Sequence, residues 1–397
     1  MSRRKSAPAN ADPVAMFARL TCAIIGILLA NAADGAPAIP LTTQLDLPPA
    51  REVTDSQLRH IALHYRAVSD RLMHLSPSQI SRLHVLNPDL LVLRYINITS
   101  VYGRGAVQRI RKNHPGWLLR DRKGRALPAF YGRGVALDPA HPGVIRALAD
   151  RCRAAVAAGY DGVMADETFM ANRLPEDFSG VHQEAHRSYD TVTWRRMKQR
   201  QLESCREALG EGRILIANSV GYGTKYFAEH AADFLPVVDG VVAEGFRGPG
   251  RWPAERFFEV TDWRRNLDMM ADIHAHGKMF IAVAKYDGGS GRNPAPAVER
   301  NIRLALATFL LQAGDQDAFS LRIVEKGDVR GRLILPWLPA DMAALGAARG
   351  GWLEEDDIYW REFEHGLLLV NPSASSHAWH RAGTIVMAPH TVRVLAR

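Results

Sequence analysis

From about residue 57 to residue 325, short apolar runs alternate with amphipathic stretches, and no other feature constrains this chain as much. The runs are His60–Tyr65, Leu90–Ile96, Leu118–Arg120 or Val135–Leu137, Gly162–Ala165, Ile214–Ala217, Gly240–Ala243, Met279–Val283 and Ala318–Ile323. Between them lie helix-like segments at Pro142–Ala158, Trp194–Leu209 and Ala254–His276. In the first of these, Ile145, Leu148, Ala149, Cys152 and Val156 share one face. Such alternation predicts βα units around a parallel sheet. Eight strands over roughly 270 residues match a (β/α)8 TIM barrel. An open doubly wound sheet would carry a glycine-rich nucleotide loop after its first strand, and none stands there. Beyond the barrel, Tyr359–Phe363, Leu367–Val370, Thr384–Ala388 and Val392–Leu395 read as strands of a small all-β domain, too short to be secure alone. The expected fold class is therefore α/β, a barrel over residues 57–345 and a β domain over 346–397. The acidic run Glu354–Asp357 reads as a solvated loop.

The N-terminal segment has a different purpose. Arg3, Arg4, Lys5 and Arg19 precede the apolar run Leu20–Ala30, which ends in Ala30-Asn31-Ala32-Ala33. That order predicts a signal peptide over residues 1–33. The run is short for a membrane span, so no stable span is expected after cleavage, and the mature chain is expected to be secreted or periplasmic. Residues 34–56, rich in Ala, Pro and Thr, read as a linker. Cleavage would leave Cys152 and Cys205; two buried free thiols are the favoured reading, with pairing in an oxidising compartment the alternative. Their spacing resembles no metal site, and neither metal nor cofactor is expected.

Composition excludes other classes. With 47% apolar and 23% charged residues the chain is globular, neither disordered nor fibrous. The net charge of +8 favours acidic surroundings. The Arg and Lys look scattered, and export argues against nucleic acid as a partner.

In a barrel, chemistry sits at the carboxyl ends of the strands. Two segments are built alike there. Gly159-Tyr160-Asp161-Gly162-Val163-Met164-Ala165-Asp166-Glu167 ends in two acids, and Val238-Asp239-Gly240-Val241-Val242-Ala243-Glu244 ends in one. On the strand count these are strands four and six, so Asp166 and Glu244 face one mouth. Each acid alone could merely start a helix; the repetition favours a working pair. Two carboxylates across a cleft suit glycoside hydrolysis, one protonating the leaving oxygen and one attacking the anomeric carbon or activating water. Alternation turns Glu167 away from Asp166, so it ranks second. Tyr65, Tyr95, Asn97, Asn218, Lys285 and Tyr286, at other strand ends, are candidate sugar-binding groups.

At these residues the chain resembles the secreted glycoside-hydrolase-like barrels known as the hypothetical glycosyl hydrolase-like family 15 group. The segments that carry the resemblance are L-R-Y-I-N at Tyr95, W-L-L-R-D-R-K-G-R from Trp117, L-D-P-A-H-P from Leu137, G-Y-D-G-V-M-A-D-E, A-N-S at Asn218, V-D-G-V-V-A-E-G-F and R-E-F-E-H-G-L-L-L-V-N-P. The resemblance implies a catalytic barrel followed by a β domain, polysaccharide or oligosaccharide as substrate, and Asp166 and Glu244 as the strand-end acids. Where M-A-D-E stands here, relatives show an acid followed by Asn or Ser, which leaves Asp166 and Glu167 both open as the working group. The rival readings are a metal-dependent hydrolase and a catalytically inactive polysaccharide-binding barrel. His274-x-His276 has ligand spacing but falls at the wrong end of its strand. Retention of both acids favours the enzyme over the binding protein.

Overall fold

The computed structural model describes residues 39–45, 53–71, 74–121, 123–129, 134–168, 173–174, 183–184, 190–248, 252–253, 255–287, 296–324, 338–381 and 383–397. The predicted signal segment lies outside them. The chain order is β1 (Thr42–Leu45), α1 (Asp55–His64), β2 (Ala67–Asp70), α2 (Pro77–Leu86), β3 (Leu91–Asn97), β4 (Ser100–Tyr102), α3 (Arg104–Asn113), β5 (Gly134–Ala136), α4 (Pro142–Ala157) and β6 (Gly162–Asp166). A two-residue pair, β7 (Arg173–Leu174) and β8 (Gln183–Glu184), precedes α5 (Thr191–Leu209). Then come β9 (Ile214–Val220), α6 (Gly223–Ala228), β10 (Gly240–Ala243), α7 (Val260–Ala275), β11 (Met279–Asp287), α8 (Pro296–Gln312), β12 (Ala318–Val324) and α9 (Ala340–Ala343).

Eight strands form one parallel sheet in the order β1-β2-β3-β6-β9-β10-β11-β12. Its two edges meet: Leu41 bridges Phe319 in parallel, and Phe319 N donates to Pro40 O at 2.8 Å. The sheet is a barrel, as the alternation predicts. Its first two strands differ from the reading of the sequence. His60–His64 is helix and Tyr65 its extended C-cap, because Thr54 and Gln57 close a capping box and Leu58, Ile61 and Ala62 bury one helical face. The true first strand, β1, lies inside the stretch read as linker, and the barrel therefore begins before residue 57. Leu118–Arg120 and Val135–Leu137 stay outside the barrel; they form a small antiparallel ribbon with β4. The two errors offset, so Gly162 and Gly240 still open the fourth and sixth barrel strands.

Those strands start on a recurring latch. Asp161, Asp239 and Asp317 each stand one residue before a strand and accept the backbone N–H of the neighbouring strand: Val92 N at 2.7 Å, Leu215 N at 2.7 Å and Phe280 N at 2.8 Å. A helix side chain closes each latch, His84 at 2.9 Å, Arg206 at 2.8 Å and His274 at 2.7 Å. This explains the sequence repeat Asp-Gly before an apolar run. At Gly162 the lack of a side chain is required, since a Cβ would fall 1.8 Å from Ile214 O.

Side chains then segregate by parity. Leu93, Met164, Ile216, Val242, Ile281, Val283 and Ala318 fill the barrel interior. Their neighbours Val92, Val163, Leu215, Val241, Ala282 and Phe319 pack outward with the helices. Cys152 on α4 and Cys205 on α5 are joined in a disulfide between these adjacent helices, which overturns the free-thiol expectation. The C-terminal strands β13 (Ala348–Glu355), β14 (Ile358–Phe363), β15 (Gly366–Asn371), β16 (His377–Trp379), β17 (Ile385–Met387) and β18 (Thr391–Ala396) form a four-stranded antiparallel sheet and a two-stranded one. The sheet packs on α8: Tyr359, Phe363, Leu368 and Val370 join the outer barrel core, and Arg361 caps the helix through Leu310 O (2.8 Å) and Ala313 O (3.0 Å). Glu354 and Glu355 end β13, and Asp356 and Asp357 make the left-handed hairpin turn (φ 55° and 59°), where a plain solvated loop was expected.

Candidate active site

Parity decides what faces the mouth. Tyr95 and Asn97 follow Leu93, Asp166 follows Met164, Asn218 follows Ile216, Glu244 follows Val242 and Lys285 follows Val283, each by two or four residues along an inward row. Five of these side chains make contact, three around Asp166 and two at Glu244. The Tyr95 hydroxyl donates to Asp166 Oδ2, and Asn218 Nδ2 donates to Oδ1 at 2.7 Å. Lys285 Nζ lies 2.8 Å from Glu244 Oε1. Burial, and next the charge of Glu244, push the Asp166 carboxyl above its ordinary range; the Tyr95 and Asn218 donors pull it back only in part. The Arg71 guanidinium lies 5.6 Å from the centre of the Tyr95 ring. Burial and the Asp166 charge raise the Tyr95 phenol, so it remains a donor.

Glu167 is placed differently. Its backbone is left-handed (φ 56°), a conformation that costs a non-glycine residue free energy unless its surroundings hold it. The holding contacts are plain. Ser100 Oγ donates to Oε2 at 2.5 Å, the Tyr102 hydroxyl donates to Oε1, and Thr99 Oγ1 donates to the Glu167 carbonyl at 2.5 Å. The Thr99 hydroxyl in turn accepts from Lys198 Nζ at 2.6 Å, which also donates to Gln201 Oε1 at 2.9 Å. Lys198 is fully buried, and desolvation lowers its pKa to about 7, against the pull of Glu167. Glu167 is itself buried, which raises its carboxyl. This network beneath Asp166 was not visible in the sequence; a lysine on the apolar face of α5 was its one signal.

Of the other sugar-binding candidates, Asn97 is buried at the end of β3, with Oδ1 accepting from Thr99 N (3.0 Å) and Ser100 N (2.7 Å). Tyr65 does not reach the mouth. It leaves α1 before β2 starts and is buried in the outer core, because the segment read as its strand is a helix. Tyr286 has its backbone in β11 opposite Ile323; its side chain lies outside the described residues. His274, one half of the ligand-like pair, is engaged by Asp317 below the barrel.

A family described as hypothetical glycosyl hydrolase family 15 matches residues 84–367. Among solved structures, the fold is similar to a noncanonic maltogenic α-amylase, AmyB from Thermotoga neapolitana, at 12% identity, with 90% of this chain and 96% of that one covered and a TM-score of 0.50. The glycoside hydrolase domain of PelA from Pseudomonas aeruginosa is 18% identical over 72% of this chain and 95% of that one, TM-score 0.47. Ega3 from Aspergillus fumigatus, solved in complex with galactosamine, is 12% identical over 73% and 94%, TM-score 0.43. No curated protein matches the chain.

Proposed function

We propose, from the premise that the chain belongs to hypothetical glycosyl hydrolase family 15 and is a glycosidase acting on polysaccharide, that Asp166 and Glu244 carry the reaction in an exported enzyme. What supports this reading is placement: on two different strands of one barrel, Asp166 and Glu244 each stand two residues past an inward-facing side chain, Met164 and Val242, and the charge of Glu244 is among the causes that raise the Asp166 carboxyl. Asp166, with two donors on its oxygens, is the ionised partner that attacks the anomeric carbon or activates water. Glu244 is the general acid. A proton on Glu244 also removes the charge that opposes ionisation of Asp166, so the assignment is self-consistent. Lys285 Nζ, 2.8 Å from Glu244 Oε1, stands where it can donate to a sugar oxygen beside the scissile bond. The Glu167 carboxylate is engaged by Ser100 and Tyr102 and supports the turn instead of reacting.

Export is supported by the order of basic, apolar and small residues over 1–33, and by the disulfide, which belongs to an oxidising compartment. Among the described residues no helix is long and apolar enough to cross a membrane.

Hydrolysis of reducing-end-labelled oligosaccharides tests the pair. Asp166→Asn and Glu244→Gln should each lose about 10²–10⁴-fold in turnover while still being pulled down by an insoluble glycan. Full turnover in either variant would remove that residue from its role. Binding with no turnover by the unaltered protein would indicate a binding barrel.

A further inference from the structure

The excess positive charge of this protein is concentrated in one stretch of the sequence. Between Asn97 and Pro142, the excursion from β3 to α4, the sequence carries nine Lys and Arg against two Asp. That excess of seven is nearly all of the chain's +8; the remainder is close to neutral. The fold sets the described part of this excursion on the carboxyl rim of the barrel. β4 begins three residues after Asn97, and its Ser100 and Tyr102 bond the side chain of Glu167, next to Asp166. Two residues past Tyr102, α3 begins, a ten-residue helix with no buried residue and no acid. Arg104, Arg109, Arg111 and Lys112 on it are exposed, as is Lys123 beyond it. None of the five has a carboxylate partner among the described residues, whereas Arg125 pairs with Asp121 at 2.6 Å. At the end of α3 the exposed His114 ring stacks on Trp117, 4.0 Å between centroids and 18° between planes, giving the rim a flat face.

We infer that α3 and the rim that follows it bind the flanking residues of an acidic polysaccharide, one bearing carboxylates such as a polyuronate, and hold it so that a neighbouring linkage enters the Asp166–Glu244 mouth. This rests on the reading of that mouth as a polysaccharide cleft. A ten-residue helix is about 15 Å long, so its four cations address several successive sugars. Arginine predominates, and its planar fork fits carboxylates two oxygens at a time. The mouth itself presents Asp166 and Glu244, which disfavour anions at the reacting sugar. The acidic groups are therefore held to one side of it, on the α3 side. Extended polyanions of another class would meet the same charges; the rim's continuity with the acid pair and its His114 face favour a glycan.

The test measures binding separately from hydrolysis. In the Glu244→Gln background, affinity is read by titration with polygalacturonate, with neutral dextran, and with single-stranded DNA. Polygalacturonate should bind at least about tenfold more tightly than dextran, and the difference should collapse between about 50 mM and 300 mM NaCl. The exposed triple reversal Arg109→Glu, Arg111→Glu, Lys112→Glu should weaken it roughly tenfold or more, and the neutral set of glutamines by less. Equal affinity for polygalacturonate and dextran, no response to either triple set in folded protein, or tighter binding of DNA than of polygalacturonate would overturn the inference. Loss of the acid-pair assignment in the turnover assay would leave these binding results unchanged, so the two failures are distinguishable.

Discussion

Lys198 allows the most exacting test of the network under the active site. Its ammonium is fully buried and its pKa falls from 10.5 to about 7 because burial penalises the charge more than Glu167 restores it. A folded-state value below the unfolded one means the unfolded chain binds the extra proton between pH 7 and 10.5. Stability must therefore rise with pH across that window. At pH well below 7 the group costs about 5 kcal/mol relative to high pH, and between pH 7.5 and 9.5 it contributes a gain of about 2–3 kcal/mol. Urea unfolding at pH 7.5, 8.5 and 9.5, run on the unaltered protein and on Lys198→Met, isolates it. The substitution also leaves Thr99 and Gln201 without their donor, but that cost does not depend on pH. The difference between the two proteins should shift by about 2–3 kcal/mol over the two pH units, with the unaltered chain gaining. Parallel curves would show that Lys198 titrates normally and that the buried charge has been misjudged.

Other consequences can be measured directly. Tyr95→Phe removes a donor that favours the ionised form of Asp166, so the acid limb of the kcat/KM profile should move to higher pH, and turnover should fall roughly tenfold to a hundredfold. Reduction of Cys152–Cys205, which closes a separation of 53 residues, should lower unfolding free energy by about 4 kcal/mol in urea melts with and without reductant; unchanged midpoints would mean the bond is not formed. Asp317→Ala strips the acceptor from Phe280 N, Gly314 N and His274, and should cost about 3 kcal/mol or more in the same melts.

The later strands were legible because each is a continuous apolar run framed by turn residues, and Asp161 and Asp239 mark their starts. The first two were not. β1 is four residues in a Pro- and Thr-rich stretch, and β2 reads Ala67-Val68-Ser69-Asp70 with no lone apolar run. Such short strands hold through pairing with neighbours already in the barrel, and pairing is not a local property. Helix α1 misled because His60–Tyr65 looks extended until its cap at Thr54 is counted.

Among the candidate groups, period two along a strand was enough to set Asp166, Asn218, Glu244 and Lys285 on one face, since successive residues of an extended chain must point oppositely. Local sequence did not carry the placement of Glu167, whose left-handed backbone is held by Thr99, Ser100 and Tyr102 from a distant segment. What closure of the sheet decided is which of those groups meet: Tyr95 with Asp166 across two strands, Lys285 with Glu244 across two others, and the Cys152–Cys205 bond between two helices 53 residues apart. It also set α3, whose cations the sequence already clusters, beside the strand that holds Glu167. Distances between elements depend on how the whole barrel curves and closes, and no short segment contains that information.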